Sequence, residues 1–293
     1  MNLHALRLFH EVAAAGSVSV AADKLHISQP AVTMQLRKLE KELGFALTRP
    51  QGRGLALTEA GLWLKTQAHR LFTLEADIER QCEAYRFGMT GQLKLAATYL
   101  PANFMLPAWI ASYREASPSI EVSVSSGNAQ LVMEKLLRYE ADIAWIGGHH
   151  SYPPSIVAVP CYEDELWFVA PPNHRLAGQT RTLAELAREP FIYREQGSFT
   201  REALLAMYRM ANLPPPPQAV QLDGPQETIR AAIQGLGLTI ASRMEVSHYI
   251  TSGLLARIDT DIPPVVYPVS RCVRTDDPLS PQASSFVESS ILI

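Results

Sequence analysis

The start of the chain alternates amphipathic stripes with sharp polar turns. Leu3, Leu6, Phe9, His10 and Ala13 fall on one face of a helix over residues 2–15, and Gly16 ends it. Ser17 can cap a second helix, on which Val18, Ala21, Ala22 and Leu25 share a face. The small Ala21–Ala22 pair lets a neighbouring helix approach closely. After the turn His26-Ile27-Ser28, the residues Val32, Leu36, Leu39 and Leu43 recur at spacings of 4, 3 and 4. That stripe predicts a helix capped by Ser28 and stopped by Gly44, with Pro30 in the first turn, where a missing N–H costs nothing. Opposite the stripe lie Gln29, Thr33, Met34, Arg37 and Lys41, a polar and basic face without an acid. A helix, a short turn and a second helix with such a face make a helix-turn-helix.

The period then changes from helical to alternating. Phe45 and Leu47, then Leu55 and Leu57, flank the turn Pro50-Gln-Gly-Arg-Gly54, which predicts a β-hairpin with a basic tip at Arg53. Beside a helix-turn-helix such a hairpin is a wing. From Thr58 to about Phe87 a single long helix follows. Its Leu64, Ala68, Leu71, Glu75, Ile78, Cys82 and Tyr85 alternate at spacings of 4 and 3. This heptad seam predicts pairing with a second chain, with Leu64, Ala68, Leu71 and Ile78 as its apolar contacts. Gly88-Met-Thr-Gly91 makes a hinge.

Beyond the hinge, strands and helices alternate. Strands are expected at Gln92–Thr98, Ile120–Val124, Asp142–Ile146, Leu166–Ala170, Phe191–Tyr193 and Leu238–Ala241. Helices are expected at 103–116, 130–139, 183–187, from Thr200, at 228–234 and at about 281–290. That order means βαβ units and largely parallel sheets. Gly235-Leu-Gly237 follows a helix and precedes a strand, the reverse of a dinucleotide fingerprint, so it reads as a helix stop. Pro214–Pro217 is a stiff loop, with a polyproline docking ligand as the less favoured alternative.

Composition narrows the class. The chain has 293 residues, 47% of them apolar, enough for two or three well-buried domains. Its net charge of −3 is unevenly spread. Residues 1–58 carry seven Lys/Arg against four Asp/Glu, whereas residues 89–293 carry fifteen against twenty. A basic N-terminal module on an acidic body suits a polyanion partner for the first part only. No apolar run approaches a membrane span and no signal-peptide pattern opens the chain, so the expected compartment is the cytoplasm, with no membrane partner. The cysteines Cys82, Cys161 and Cys272 are odd in number and widely spaced, which indicates neither zinc nor a disulfide framework. No cofactor is expected.

The elements around Ala21-Ala22-Asp23-Lys24-Leu25-His26-Ile27-Ser28-Gln29-Pro30-Ala31-Val32, the hairpin ending Leu57-Thr58-Glu59-Ala60-Gly61, and the long helix together resemble the LysR-type transcriptional regulators. The resemblance spans the chain and is strongest over residues 3–65. It implies an α+β multidomain protein: a winged helix-turn-helix over 1–58, a dimerisation linker helix over 59–88, and a two-lobed α/β effector domain over 89–293 resembling periplasmic binding proteins. The first lobe would span about 89–162 and 268–293, the second about 163–267, with crossings near 160–164 and 267–271. Dimers pairing into tetramers, double-stranded DNA, a small-molecule effector and RNA polymerase are the implied partners.

Candidate chemistry divides the same way. With the Val32/Leu36/Leu39 stripe buried, Gln29, Thr33, Met34 and Arg37 point outward. Gln can bond adenine, Thr can touch a thymine methyl and Arg can fork onto guanine. The family pattern maps contacts onto Gln29, Pro30, Thr33 and Met34, with Ser28 at the helix start. Many members carry a basic residue where Met34 stands, so part of the usual base readout is altered here. Lys38 and Arg53 read as phosphate contacts.

In the effector domain, ligand residues belong at strand ends and helix N-termini. Four segments qualify: Thr98-Tyr99-Leu100, the stretch at Asn128, Arg194 with Ser198-Phe199-Thr200, and the stretch at Gln226. A helix N-terminus with Ser198 and Thr200 can hold an anion, and Arg194 can add a charge-assisted bond; alternatively these residues merely cap their helix and pair with a nearby acid. The resulting expectation is a ligand-responsive DNA-binding regulator with a small anionic effector. An enzyme on the α/β body is disfavoured, because no catalytic triad, carboxylate pair or metal constellation is legible. A nucleoid-type protein without a ligand is disfavoured by the two-lobed body.

Overall fold

The computed structural model describes residues 2–51, 54–87 and 91–290. It divides into two compact units, Met1–Gly88 and Met89–Ile293.

In the first unit, α1 (Leu3–Ala15) starts where Asn2 Oδ1 accepts the His4 amide at 2.8 Å and ends at Gly16. Ser17 caps α2 (Val18–Lys24), and Ser28 caps α3 (Gln29–Leu43). An antiparallel hairpin of β1 (Thr48–Gln51) and β2 (Gly54–Leu57) leads into α4 (Glu59–Phe87). Phe9, Val12, Ala21, Val32, Leu39 and Leu47 form its core. Two polar devices seat the hairpin. Glu40 accepts the Leu47 and Thr48 amides at 2.8 and 3.1 Å and the Thr48 hydroxyl at 3.2 Å. Thr58 Oγ1 donates to the Ala46 carbonyl at 2.7 Å and accepts from the Gly61 amide at 3.0 Å. Gly61 is required by contact, since a Cβ there would lie 2.1 Å from the Leu47 carbonyl oxygen.

The heptad reading of α4 needs correcting at its N-terminal end. Leu64 and Ala68 are buried at 5% and 0% exposure within the helix-turn-helix core of their own chain. Leu71 and Ile78 are exposed, as are Trp63 and Leu74 on the same side of the helix. One spacing serves two partners: the first turns pack inward on α1, and only later turns present an unpartnered face.

The second unit opens with β3 (Gly91–Thr98), α5 (Tyr99–Phe104), α6 (Leu106–Ala116), β4 (Ile120–Gly127), α7 (Ala129–Leu137) and β5 (Ile143–Gly147). The long β6 (Ile156–Ala170) follows, then β7 (Thr180–Arg181), α8 (Leu183–Leu186), β8 (Phe191–Arg194), α9 (Phe199–Met210) and β9 (Gln218–Leu222). The unit closes with α10 (Pro225–Ile233), β10 (Thr239–Ser242), α11 (Arg243–Thr251), β11 (Ala256–Thr260), β12 (Val265–Arg274) and α12 (Pro281–Ser290). The main sheet runs β4-β3-β5-β12-β6-β11-β7 with β10 also on β6, and β8 and β9 pair separately. β6 and β12 pair antiparallel along most of their length, from Leu166 opposite Val265 to Ile156 opposite Arg274. This pair joins the two lobes. α12 returns to the first lobe, where Phe286 packs edge-on against Tyr113 and Trp145.

Several expectations change. The sheet is mixed rather than largely parallel, because the two crossing strands run antiparallel to each other and to their neighbours β5, β10 and β11. The helix expected at 103–116 is two helices that break at Met105, just before Pro107 enters the first turn of α6. β9, α11 and β11 were not anticipated. β9 is largely exposed and lacks an alternating apolar face. Gly235 has a left-handed φ of 80° and donates back to the Ala232 carbonyl at 3.0 Å, a helix stop. The Pro214–Pro217 loop engages its own domain, with the Pro216 carbonyl accepting from Tyr193 Oη at 2.8 Å.

Candidate functional site

The first unit carries a prominent exposed face on α3. Gln29, Pro30, Thr33, Met34 and Arg37 line one open concavity there. Burial of Val32, Leu36 and Leu39 turns them outward. Met34 is 63% exposed, so this helix holds a large apolar side chain out to solvent at the centre of a polar face. Thr33 Oγ1 donates to the Gln29 carbonyl at 3.0 Å, which leaves its methyl and its acceptor lone pairs for a partner. Ser28 Oγ accepts from the Ala31 amide at 3.4 Å, a capping role that also fixes where the face begins. Lys38 is exposed but lies outside the group of five, and Arg53 lies outside the described residues. Arg49 on β1 is an exposed cation of the hairpin that sequence reading passed over.

The second unit holds a cleft open to solvent. Thr98, Tyr99, Leu100, Asn128, Arg194, Ser198, Phe199 and Thr200 all line it. They arrive from three helix N-termini and, for Arg194, from the end of β8. α5 follows Thr98, α7 is capped by Asn128 Oδ1 on the Leu131 amide at 2.9 Å, and α9 begins after Ser198. Thr98 Oγ1 accepts from the Gly147 amide at 2.9 Å, tying β3 to β5 at the cleft floor. Ser198 is buried, caps no amide with its hydroxyl, and so keeps that hydroxyl available to the cleft. Phe199 stacks at a tilt on Tyr267, 4.8 Å between centroids. Gln226 is not among the lining residues: its Oε1 accepts from Tyr249 Oη at 3.2 Å on α11, so the expectation for it is corrected.

Arg194 meets the acid that the alternative reading required. Its Nε and Nη2 bond Glu195 at 2.8 and 3.0 Å, its guanidinium lies 5.3 Å from the Tyr99 ring centroid, and it is buried. The cleft cation is therefore paired before any ligand enters. Glu195, within the segment from Arg194 to Thr200, also lines the cleft, and sequence reading missed Ser242, Glu245 and Tyr267, which line it as well. Asp164, buried on β6, accepts from Tyr267 Oη at 3.0 Å and from Ser242 Oγ, and Arg243 Nε stands 3.7 Å from its other oxygen. These bonds knot β6, β12 and β10 where the lobes meet. Burial, with Asp164 adding to it, pushes the Glu245 carboxyl up to about 7 against the pull of Arg194, and burial likewise raises the Tyr267 phenol. Ser242-Arg-Met-Glu245 could have been found as a capping-box pattern at the end of a strand, although that pattern points to a helix start rather than to a ligand.

Both halves of the chain match families. Residues 3–62 match the bacterial regulatory helix-turn-helix protein, lysR family, and residues 88–290 match the LysR substrate binding domain. The chain belongs to the LysR family. It is a DNA-binding transcriptional regulator with an effector-binding domain, and not an enzyme. Among LysR-family relatives, the transcriptional regulator YeiE of Escherichia coli (strain K12) is 34% identical over 264 residues, 90% of this chain and 88% of that protein. Full-length CbnR complexed with its target DNA superposes with a TM-score of 0.71 at 24% identity, covering 99% of both chains. The Synechocystis CcmR regulatory domain in complex with 2-PG superposes with a TM-score of 0.64 at 22% identity, over 69% of this chain and 97% of that one. At these identities the two structures establish the shared fold. No helix among the described residues is long and apolar enough to cross a membrane.

Proposed function

We propose that this regulator reads DNA with the α3 face and is controlled by a small anionic metabolite held in the cleft of its second unit. The observation that carries the anion is the meeting of three helix N-termini, α5, α7 and α9, at one cleft whose cation is already paired. Orphan amides and helix dipoles favour negative charge there, and the Ser198 and Thr200 hydroxyls supply donors. The CcmR regulatory domain, which shares this fold, forms a complex with 2-PG, and this supports a small-molecule effector. In the DNA-binding unit, Gln29, Thr33 and Arg37 would read base edges, Met34 and Pro30 would give apolar contact, and Ser28, Lys38, Arg49 and Arg53 would meet the phosphate backbone. The exposed α4 side chains Trp63, Leu71, Leu74 and Ile78 would pair two chains, setting two α3 helices for successive major grooves. The compartment we infer is the cytoplasm.

An effector can shift the protein only by binding two arrangements unequally. The β6–β12 pair, knotted at Asp164, Ser242 and Tyr267, is the element that lobe closure would bend. The test is isothermal titration of the full-length protein against a metabolite panel. Saturable binding of anions, weakened about tenfold or more by Ser198→Ala with Thr200→Ala, is the expected result. A panel yielding only neutral or cationic ligands would contradict it.

A further inference from the structure

Glu245 sits in the first turn of α11 and lines the cleft, yet is only 7% exposed. Among the described residues no side chain hydrogen-bonds its carboxylate, and the Ser242 amide is its one hydrogen-bonding neighbour. The groups that face it are otherwise committed. Arg194 from β8 spends Nε and Nη2 on Glu195. Asp164 from β6 accepts from Ser242 and Tyr267 through Oδ2, its Oδ1 has no hydrogen-bond partner among the described residues, and Arg243 turns toward Asp164 and Glu165. A carboxylate has about four acceptor sites, so most of those on Glu245 are open. In a cleft open to solvent those sites are hydrated, and a ligand that displaces the water without supplying a donor loses those bonds, so one that supplies the donor is favoured.

We propose that Glu245 is a specificity residue that selects effectors carrying a hydrogen-bond donor beside their anionic group, such as a hydroxyl, an ammonium or an acid proton, and rejects fully deprotonated anions of the same shape. This rests on the anion reading above and narrows it. The helix N-termini hold the negative group, and Glu245 accepts the neighbouring donor. An anion with no proton to offer sets its lone pairs against those of Glu245 and leaves the carboxylate unfilled. Sites built around a hydrogen bond to a substrate discriminate strongly against analogues that lack the matching group. Effectors of the hydroxy-acid, amino-acid or protonated-oxyanion type satisfy both ends of the cleft.

Hydrogenphosphate and sulfate separate the two requirements, because at pH 8 they share shape and charge and differ in one proton. Isothermal titration of the full-length protein at pH 8 should show inorganic phosphate binding at least about tenfold tighter than sulfate. E245Q, whose amide can donate, should narrow that ratio to within about threefold by gaining sulfate affinity. A readout without any variant accompanies it. Sulfate keeps its charge between pH 8 and pH 6, and the native protein should bind it several-fold more tightly at pH 6, because the Glu245 carboxyl, pushed up to about 7, takes a proton and becomes a donor itself. Saturable binding of both anions with equal affinity at pH 8, or a ratio that E245Q leaves unchanged together with a sulfate affinity that pH leaves unchanged, overturns the role of Glu245 alone. Absence of saturable binding of either anion, in the native protein and in E245Q at both pH values, overturns the anion site and this proposal with it.

Discussion

Glu40 shows how one side chain sets the geometry of a functional face. It lies on α3, the helix proposed to read DNA, but it points at the hairpin and gathers two amides and a hydroxyl. Glu40→Ala strands those donors, so unfolding of the first unit by urea should reveal a loss of about 1–3 kcal/mol, with DNA affinity falling as the wing loosens. Gly61→Ala should be at least as damaging, since its methyl meets the Leu47 carbonyl, and the midpoint of thermal unfolding would drop in the same unit. Glu245 makes a pH argument at the same scale. Its carboxyl ordinarily titrates near 4.5 and is raised to about 7 in the fold, so the folded domain holds more protons than the unfolded chain between those values. The associated stability is fully present below 4.5 and is lost as pH rises through 7. Chemical denaturation of the full chain should lose on the order of 3 kcal/mol across that window, and E245Q should flatten the profile. The reason Glu245 was invisible in the sequence is physical: a Glu three residues after Ser242 is what a helix start ordinarily wants, and only burial against Asp164 and Arg194 distinguishes it.

At the scale of elements, periodicity revealed where helices form but not what they face. The stripe Val32/Leu36/Leu39 was legible and is buried, so the outward set Gln29, Thr33, Met34 and Arg37 followed from it. The stripe on α4 was equally regular, yet Leu64 and Ala68 face their own core while Leu71 and Ile78 face outward. The split makes a sharp contrast. Leu64→Ala should cost about 2–5 kcal/mol of stability in the first unit by opening a cavity. Leu71→Glu with Ile78→Glu should leave the fold intact and lower the mass seen by light scattering, because it charges the face proposed to pair two chains. Equal loss of stability from both changes would remove the distinction. The cleft segments before α5, α7 and α9 were legible because cap residues follow strand ends. Gln226 misled because its helix also starts after a strand, but its side chain is taken by Tyr249.

At the scale of the molecule, charge and architecture agree on a division of labour. The basic first unit carries the α3 face, and the acidic second unit holds the cleft proposed to take an anion through backbone rather than side-chain charge. The alternation of strands and helices disclosed an α/β body but not its mixed sheet, because the direction of β12 depends on pairing with β6 about a hundred residues earlier. The two activities should be separable at the residue level and coupled only through effector binding. The most direct measurement takes three samples of full-length protein, native, Arg37→Ala and the pair Ser198→Ala with Thr200→Ala, and records promoter DNA affinity by fluorescence anisotropy and phosphate affinity by titration calorimetry on each. Arg37→Ala should weaken DNA binding by about tenfold and leave phosphate binding within about twofold, while the cleft pair does the reverse. Parallel losses of both activities in every folded variant would contradict it.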